Sequence, residues 1–284
     1  MFSIVIPTYN RPDALKRTIG SILSLDIKEV IEIIVVNDSP GSEIPEFYDE
    51  RVIILKNTKN LGRAKSRNAG AAAANFPILF FIDDDIEVNE NIFDAYINEY
   101  KKGYDAVFSN VTNVRSDGQY SFLNEFLNTR GANKKKFRSK FRSNYFTTAF
   151  CSIKKDFFDR IGKFDEEFCS YGWEDPELGL RIESNQGKIS FLKTEGLKHY
   201  HDKNVDEWIE QIEKSGNNLK YLINKHPQFK KKIHYSLLNS FIGAVIFNPL
   251  FVWSEKLKAK RSRGFLGYLN YSYLFKAAIY RSLR

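Results

Sequence analysis

Residues Pro77-Ile78-Leu79-Phe80-Phe81-Ile82-Asp83-Asp84-Asp85 pass from an apolar run straight into three carboxylates. An unbroken apolar run of this length predicts a buried strand of a parallel sheet. Three adjacent acids at its carboxyl end repel one another unless a cation sits among them. In open α/β sheets that edge is where ligands bind. A solvated acidic turn is the plain alternative, and the flanking sequence decides between the two.

Working outward toward the amino terminus, residues 3–7 (SIVIP), 30–38 (VIEIIVVND) and 51–57 (RVIILKN) are further β-branched, apolar runs. Between the first two, Leu15, Ile19, Ile22 and Leu23 recur at helical spacing. Asn10 or Asp13 is placed to cap that helix, with Pro12 in its first turn. Residues 62–74 are small and Ala-rich, which suits a helix packed closely on a sheet. Strand and helix thus alternate four times in about the first 100 residues, the pattern of a doubly wound parallel sheet. Toward the carboxyl terminus follow a helix (91–102), a strand (104–111), a polar and basic stretch (113–144), a strand (146–155), a short helix (156–162), a strand (188–194) and a helix (205–225). The run KKKFRSKFR at 134–142 reads as a solvated loop or as an element that meets an anionic ligand or closes over a site.

No GxGxxG follows the first strand and no GxxxxGK[ST] occurs, which argues against a dinucleotide dehydrogenase and a P-loop NTPase. A nucleotide on this sheet must be held otherwise. The carboxyl ends of strands one, two and four offer Thr8, Tyr9, Asn10 and Arg11, then Asn37 and Asp38, then Asp83 and Asp85. Tyr9 could lie against a base and Asp38 accept from a base N–H, while the acids hold a metal on phosphates. A core tyrosine and a turn-forming aspartate are the alternatives.

A second loaded stretch is Gly172-Trp173-Glu174-Asp175-Pro176. Asp175 before Pro176 reads as a helix cap followed by the first helical residue. A cap does not account for Gly172, Trp173 and Glu174. An aromatic face beside two acids suits a sugar, with a carboxylate base taking a hydroxyl proton. Two of the four histidines, His199 and His201, stand at alternate positions of an extended segment. An imidazole beside carboxylates suits Mn²⁺ or another divalent ion.

Taken together, PTYNR (7–11), VVND (35–38), NLGRAKSRNAG (60–70), FIDDD (81–85), GWEDPELGLR (172–181) and a downstream histidine resemble the inverting glycosyltransferases of family 2, which have the GT-A fold. The resemblance covers about residues 1–203, and six motifs in order make it specific. It implies an α/β fold with a mostly parallel central sheet flanked by helices, and a transferase using a nucleotide-sugar donor, most commonly a UDP-sugar. Pro7, Tyr9, Arg11, Asp38, Arg63, Asp83 and Asp84 would bind the donor nucleotide. Asp85 and His201 would bind Mn²⁺ or Mg²⁺, with His201 preferred over His199. Asp175 would be the general base, and Glu174 and Trp173 would meet the acceptor, a glycan or lipid-linked hydroxyl. One base and one displacement give inversion, and no covalent intermediate is suggested.

The charge of the chain is uneven. Residues 230–284 hold 11 of the 43 Lys and Arg but one of the 35 acids, net +10, leaving 32 against 34 elsewhere, net −2. No nucleic-acid motif accompanies this basicity, so no nucleic-acid partner is expected. Residues 235–254 are uncharged, long enough to span a bilayer but interrupted by Ser236, Asn239, Ser240, Asn248 and Pro249. The basic, aromatic end matches interfacial segments, so residues 204–284 are expected to be a helical appendage on an anionic membrane surface. Two cysteines without metal-ligand spacing, and an amino terminus with no charged n-region, fit a reducing, cytoplasmic location on the inner face of the cell membrane. The rival readings are a nucleotidyltransferase, which ordinarily needs a basic, glycine-rich loop where PTYNRPD stands, and a non-catalytic binder of nucleotide sugars or anionic polymers.

Overall fold

The computed structural model describes every residue except 134–142, 144, 234, 236–239, 260 and 262. The basic run 134–142 and part of the uncharged stretch 235–254 therefore lie outside the described residues. In chain order the elements are β1 (Phe2–Thr8), α1 (Pro12–Leu23), β2 (Ile31–Asn37), β3 (Val52–Lys56), α2 (Arg63–Ala73), β4 (Ile78–Ile82), β5 (Ile86–Val88), α3 (Phe93–Lys101), β6 (Ala106–Ser109) and β7 (Thr112–Val114). There follow α4 (Phe122–Leu127), β8 (Phe150–Lys154), α5 (Lys155–Arg160), α6 (Glu174–Ser184), β9 (Ile189–Leu192), β10 (Leu197–Tyr200), α7 (Val205–Lys214) and α8 (Gly216–Lys225).

The chain divides into two compact units, the first made of residues 1–119, 127–169 and 174–201. Its seven-stranded sheet runs β3-β2-β1-β4-β8-β6-β9. All neighbours pair in parallel except β8, which is antiparallel to both β4 and β6. Alternation along each strand feeds two cores. Phe2, Ile4, Ile6, Phe80 and Ile82 point to one side with Leu15 and Ile19 of α1, and Val5, Leu79 and Phe81 point to the other with Ala64 and Ala71 of α2. The small residues of α2 are needed there. A Cβ on Gly70 would sit 2.3 Å from Val5 Cγ1, so only glycine lets the helix come this close.

A second, three-stranded sheet orders β5-β10-β7. The strand β5, three residues directly after the acidic triplet, is absent from the sequence reading, because so short a run has no periodicity to detect. Neither predicted cap of α1 is made. Asp13 lies inside the helix and the cap position falls on Arg11, with no side-chain cap, while Asn10 takes a left-handed φ of 54°.

The second unit holds residues 120–126, 170–173 and 202–284. Here α7 opens with a capping box between Asn204 and Glu207. Trp208 packs against Phe126, Tyr271 and Phe275. From residue 240 on, the uncharged stretch enters two short helices, Phe241–Ile246 and Pro249–Ala259, the second of which runs on into the charged segment, and a last helix spans Gly264–Ser282. Among the described residues no helix is long and apolar enough to cross a membrane.

Candidate active site

The acidic triplet leaves β4 at its carboxyl edge, and the three side chains part company. Asp83 pairs with Arg67 at 2.8 Å. Asp84 turns inward, taking the Thr8 hydroxyl at 2.6 Å while its backbone carbonyl accepts from Thr18 at 2.8 Å. Asp85 meets Arg11 at 2.6 Å and lies 3.2 Å from His199 Nε2. Part of the expected mutual repulsion is offset by two arginines, Arg67 on Asp83 and Arg11 on Asp85, with Arg11 also reaching Asp84 at 3.4 Å. Burial and then the neighbouring Asp85 charge push the Asp84 carboxyl up to about 6. Burial works against the Asp85 carboxylate too, but His199 and Arg11 outweigh it and hold its pKa below the ordinary range. Reciprocally, Asp85 outweighs the burial of His199 and raises the imidazole's pKa.

Arg67 organises the other half of the site. It is fully buried, and besides Asp83 its guanidinium reaches Glu174 at 3.2 Å and Asp175 at 3.7 Å. Two carboxylates from the start of α6 and one from the end of β4 thereby converge on a single cation. Sequence reasoning chose Arg63, the first residue of α2, and missed Arg67. A signal was present: Ala64, Arg67, Asn68 and Ala71 fall on one helical face, all buried, so the arginine had to enter the interior.

Asp175 is not the helix cap read from Asp-Pro. Helix α6 already begins at Glu174. The Asp175 carboxylate instead accepts from the Thr148 hydroxyl at 2.5 Å and the Thr148 N–H at 3.0 Å, both at the entry to β8. Its side chain is 25% exposed, against 5% for Glu174. Burial, followed by repulsion from Asp175, raises the Glu174 pKa despite Arg67. Immediately before them Trp173 has φ 76°, a strained conformation for a bulky residue. Trp173 belongs to the second unit, where its indole N–H donates to Ser215 at 2.8 Å and its ring packs against Phe229.

The remaining predicted residues lie at the ends of β1 and β2. Pro7 is within β1, and Tyr9 and Arg11 follow it, Tyr9 being exposed. Asp38 is buried, accepting from Leu61 N at 2.7 Å, Gly62 N at 2.8 Å and Asn57 Nδ2 at 2.8 Å. It ties the loop before α2 to the end of β2. Of the two histidines, His199 stands beside Asp85, whereas the sequence reading preferred His201. The His201 ring centroid is 6.0 Å from that of His199.

No cluster of three or more His, Cys, Asp or Glu side chains around a common metal position occurs among the described residues. A two-ligand site does fit a divalent ion. Asp85 Oδ1 is buried, receives no well-aligned hydrogen bond and faces the His199 nitrogen. Ions such as Mg²⁺ commonly take one or two protein ligands and complete their shell with substrate phosphates.

An open, mostly parallel sheet with acids and an arginine gathered at its carboxyl edge is the architecture expected of a GT-A glycosyltransferase. A model described as glycosyl transferase family 2 matches residues 3–162, and one described as the N-terminal domain of galactosyltransferase matches residues 129–203. The chain belongs to glycosyl transferase family 2, and it is an enzyme of the glycosyltransferase type. It is 28% identical to an uncharacterized glycosyltransferase of Methanocaldococcus jannaschii over 89% of this chain and 87% of that one. It is 29% identical to a GalNAc(5)-diNAcBac-PP-undecaprenol beta-1,3-glucosyltransferase of Campylobacter jejuni, over 61% of this chain and 56% of that enzyme. A mannosyltransferase of Pyrobaculum calidifontis, solved in complex with GDP-Man and Mn²⁺, superposes with a TM-score of 0.63 over 99% of this chain and 86% of its own, at 14% identity.

Proposed function

We propose that the chain moves a sugar from a nucleotide diphosphate donor, with UDP-sugars the first to test, to a hydroxyl of a glycan or lipid-linked acceptor, with inversion and with Asp175 as general base. The observation that carries this reading is the meeting of Asp83, Glu174 and Asp175 on Arg67 at the sheet edge. A base must reach its proton. Asp175 is partly exposed and oriented by Thr148, whereas Glu174 is enclosed, so Asp175 is the better base and Glu174 serves to hold Arg67. Asp85 and His199 would hold Mn²⁺ or Mg²⁺, which when bound offsets charge developing on a leaving diphosphate. Tyr9 and Arg11, exposed beside β1, supply a flat face and a cation toward a nucleotide. Domain limits of 1–203 and 204–284 remain part of this proposal.

Calorimetric titration of UDP, GDP and dTDP with Mn²⁺, then with EDTA, tests the donor class. One nucleotide is expected to bind, with at least tenfold loss in EDTA. Equal binding without metal would remove the metal from the reading, and no binding of any nucleotide would remove the donor.

The second unit supports attachment to an anionic membrane. Phe241, Ile242, Leu250, Trp253, Phe265 and Leu266 are all exposed, within the segment that carries net +10. Scattered apolar residues are ordinary, but a concentration on consecutive helices marks an interaction surface. The full chain is expected to float with vesicles rich in phosphatidylglycerol and not with phosphatidylcholine alone. Added salt and the double change Phe265→Glu, Leu266→Glu should each weaken flotation several-fold. Flotation indifferent to both would rule out this surface.

A further inference from the structure

The second sheet lines up three residues from separate parts of the chain. In its register, His199 of β10 pairs with Ile86 of β5 on one side and with Asn113 of β7 on the other. Asp85, which precedes Ile86, and Asn113 thereby flank the same imidazole. His199 Nδ1 lies 2.9 Å from Asn113 Oδ1, while Nε2 faces Asp85.

Which nitrogen carries a proton follows from groups that cannot reverse their polarity. The Asn113 backbone N–H donates to Asn128 Oδ1 at 2.7 Å, and Asn128 Nδ2 donates to the Asn113 backbone carbonyl at 3.0 Å. These two main-chain contacts fix the Asn128 amide. Its Oδ1 also accepts from Asn113 Nδ2 at 2.9 Å, which fixes the Asn113 amide in turn. Asn113 must therefore present its oxygen to His199, and Nδ1 must be the donor. A neutral imidazole so held keeps its lone pair on Nε2, beside Asp85 Oδ1.

We propose that Asn113, itself held by Asn128, is a positioning residue that fixes His199 in the Nδ1–H tautomer so that Nε2 is the nitrogen offered, with Asp85, to a divalent cation. This rests on the metal-dependent reading above and adds to it the device that orients the histidine. Partners of this kind typically change metal affinity 10–100-fold when removed.

Two measurements test it. Long-range ¹H–¹⁵N spectra of the full-length protein with Mg²⁺ report the tautomer without any substitution, His199→Ala assigning the signal. The proton is expected on Nδ1. A proton on Nε2 would overturn the inference even if the metal reading stood. Mn²⁺ alone is then titrated and followed by electron paramagnetic resonance. His199→Ala and Asn113→Leu should each weaken binding at least tenfold, and Asn128→Ala, which leaves the Asn113 oxygen in place but loosens it, should weaken binding less. Should Asn113→Leu fail to fold, Asn128→Ala and the spectra carry the test. Wild-type affinity in the folded variants would sink the role of Asn113 while leaving metal dependence intact. Failure of the wild-type protein to bind Mn²⁺, alone or with a nucleoside diphosphate, would sink both.

Discussion

Asp175→Asn is expected to slow transfer by about 10²–10⁴-fold, the usual contribution of a general base, while nucleotide binding stays within about threefold. The substitution is nearly isosteric and the local contacts can absorb it. The asparagine oxygen can still accept from the Thr148 N–H, and its amino group can donate to the Thr148 hydroxyl, which is free to turn. The cost is a second donor facing the Arg67 guanidinium, 3.7 Å from Asp175 Oδ1 in the native site. What the variant cannot do is accept a proton. Initial rates with saturating donor, read beside calorimetric binding of the same nucleotide, separate the two effects. Unchanged turnover would remove Asp175 as the base, and loss of binding equal to the loss of rate would make it a donor contact instead.

Arg67→Met is expected to be the most destabilising single change in the site, by about 3 kcal/mol or more, as when one partner of a buried ion pair is removed. Methionine fills much of the volume but leaves Asp83, Glu174 and Asp175 facing one another with no cation among them. Urea unfolding at several pH values supplies the check. Without Arg67, Glu174 should titrate further above its unfolded value than it already does. A carboxylate with a raised folded-state pKa costs stability above that pKa and ceases to cost it once protonated. The deficit should therefore be largest at neutral pH and shrink as pH falls toward about 4.3, the unfolded value for glutamate. A deficit independent of pH would point to lost packing, not to unpaired charge. Arg67→Lys should lie between the two, since a single ammonium cannot present the planar fork that reaches three acids.

The sheet was legible because both faces of a parallel strand are buried, so β1, β2 and β4 appear in the sequence as continuous apolar runs. The edge residues were legible because strand ends in such folds are where ligands gather. Partnership was not legible. The triplet at 83–85 looks like one anionic cluster in sequence, whereas Arg67 draws Asp83 aside, Thr8 takes Asp84, and Arg11 holds Asp85 while also reaching Asp84. Asp175-Pro176 looks like a cap because local rules favour one, and the contact that displaced it comes from Thr148, 27 residues away in sequence. The hydrogen bonds that Asp38 accepts from Asn57, Leu61 and Gly62, up to 24 residues away in sequence, were equally invisible to local pattern. His199 and His201 are indistinguishable by spacing, and only the register of β10 between β5 and β7 sets His199 beside Asp85.

Strand β8 runs against its neighbours, and this inverts the polarity of the sheet edge at one point. The reversed strand starts there, so a main-chain N–H, that of Thr148, is directed at Asp175. A side-chain donor can be lost to a single substitution, but this one survives any replacement of Thr148 except proline. The contact that orients the proposed base is thus written into strand direction, and drift in the local sequence leaves it standing.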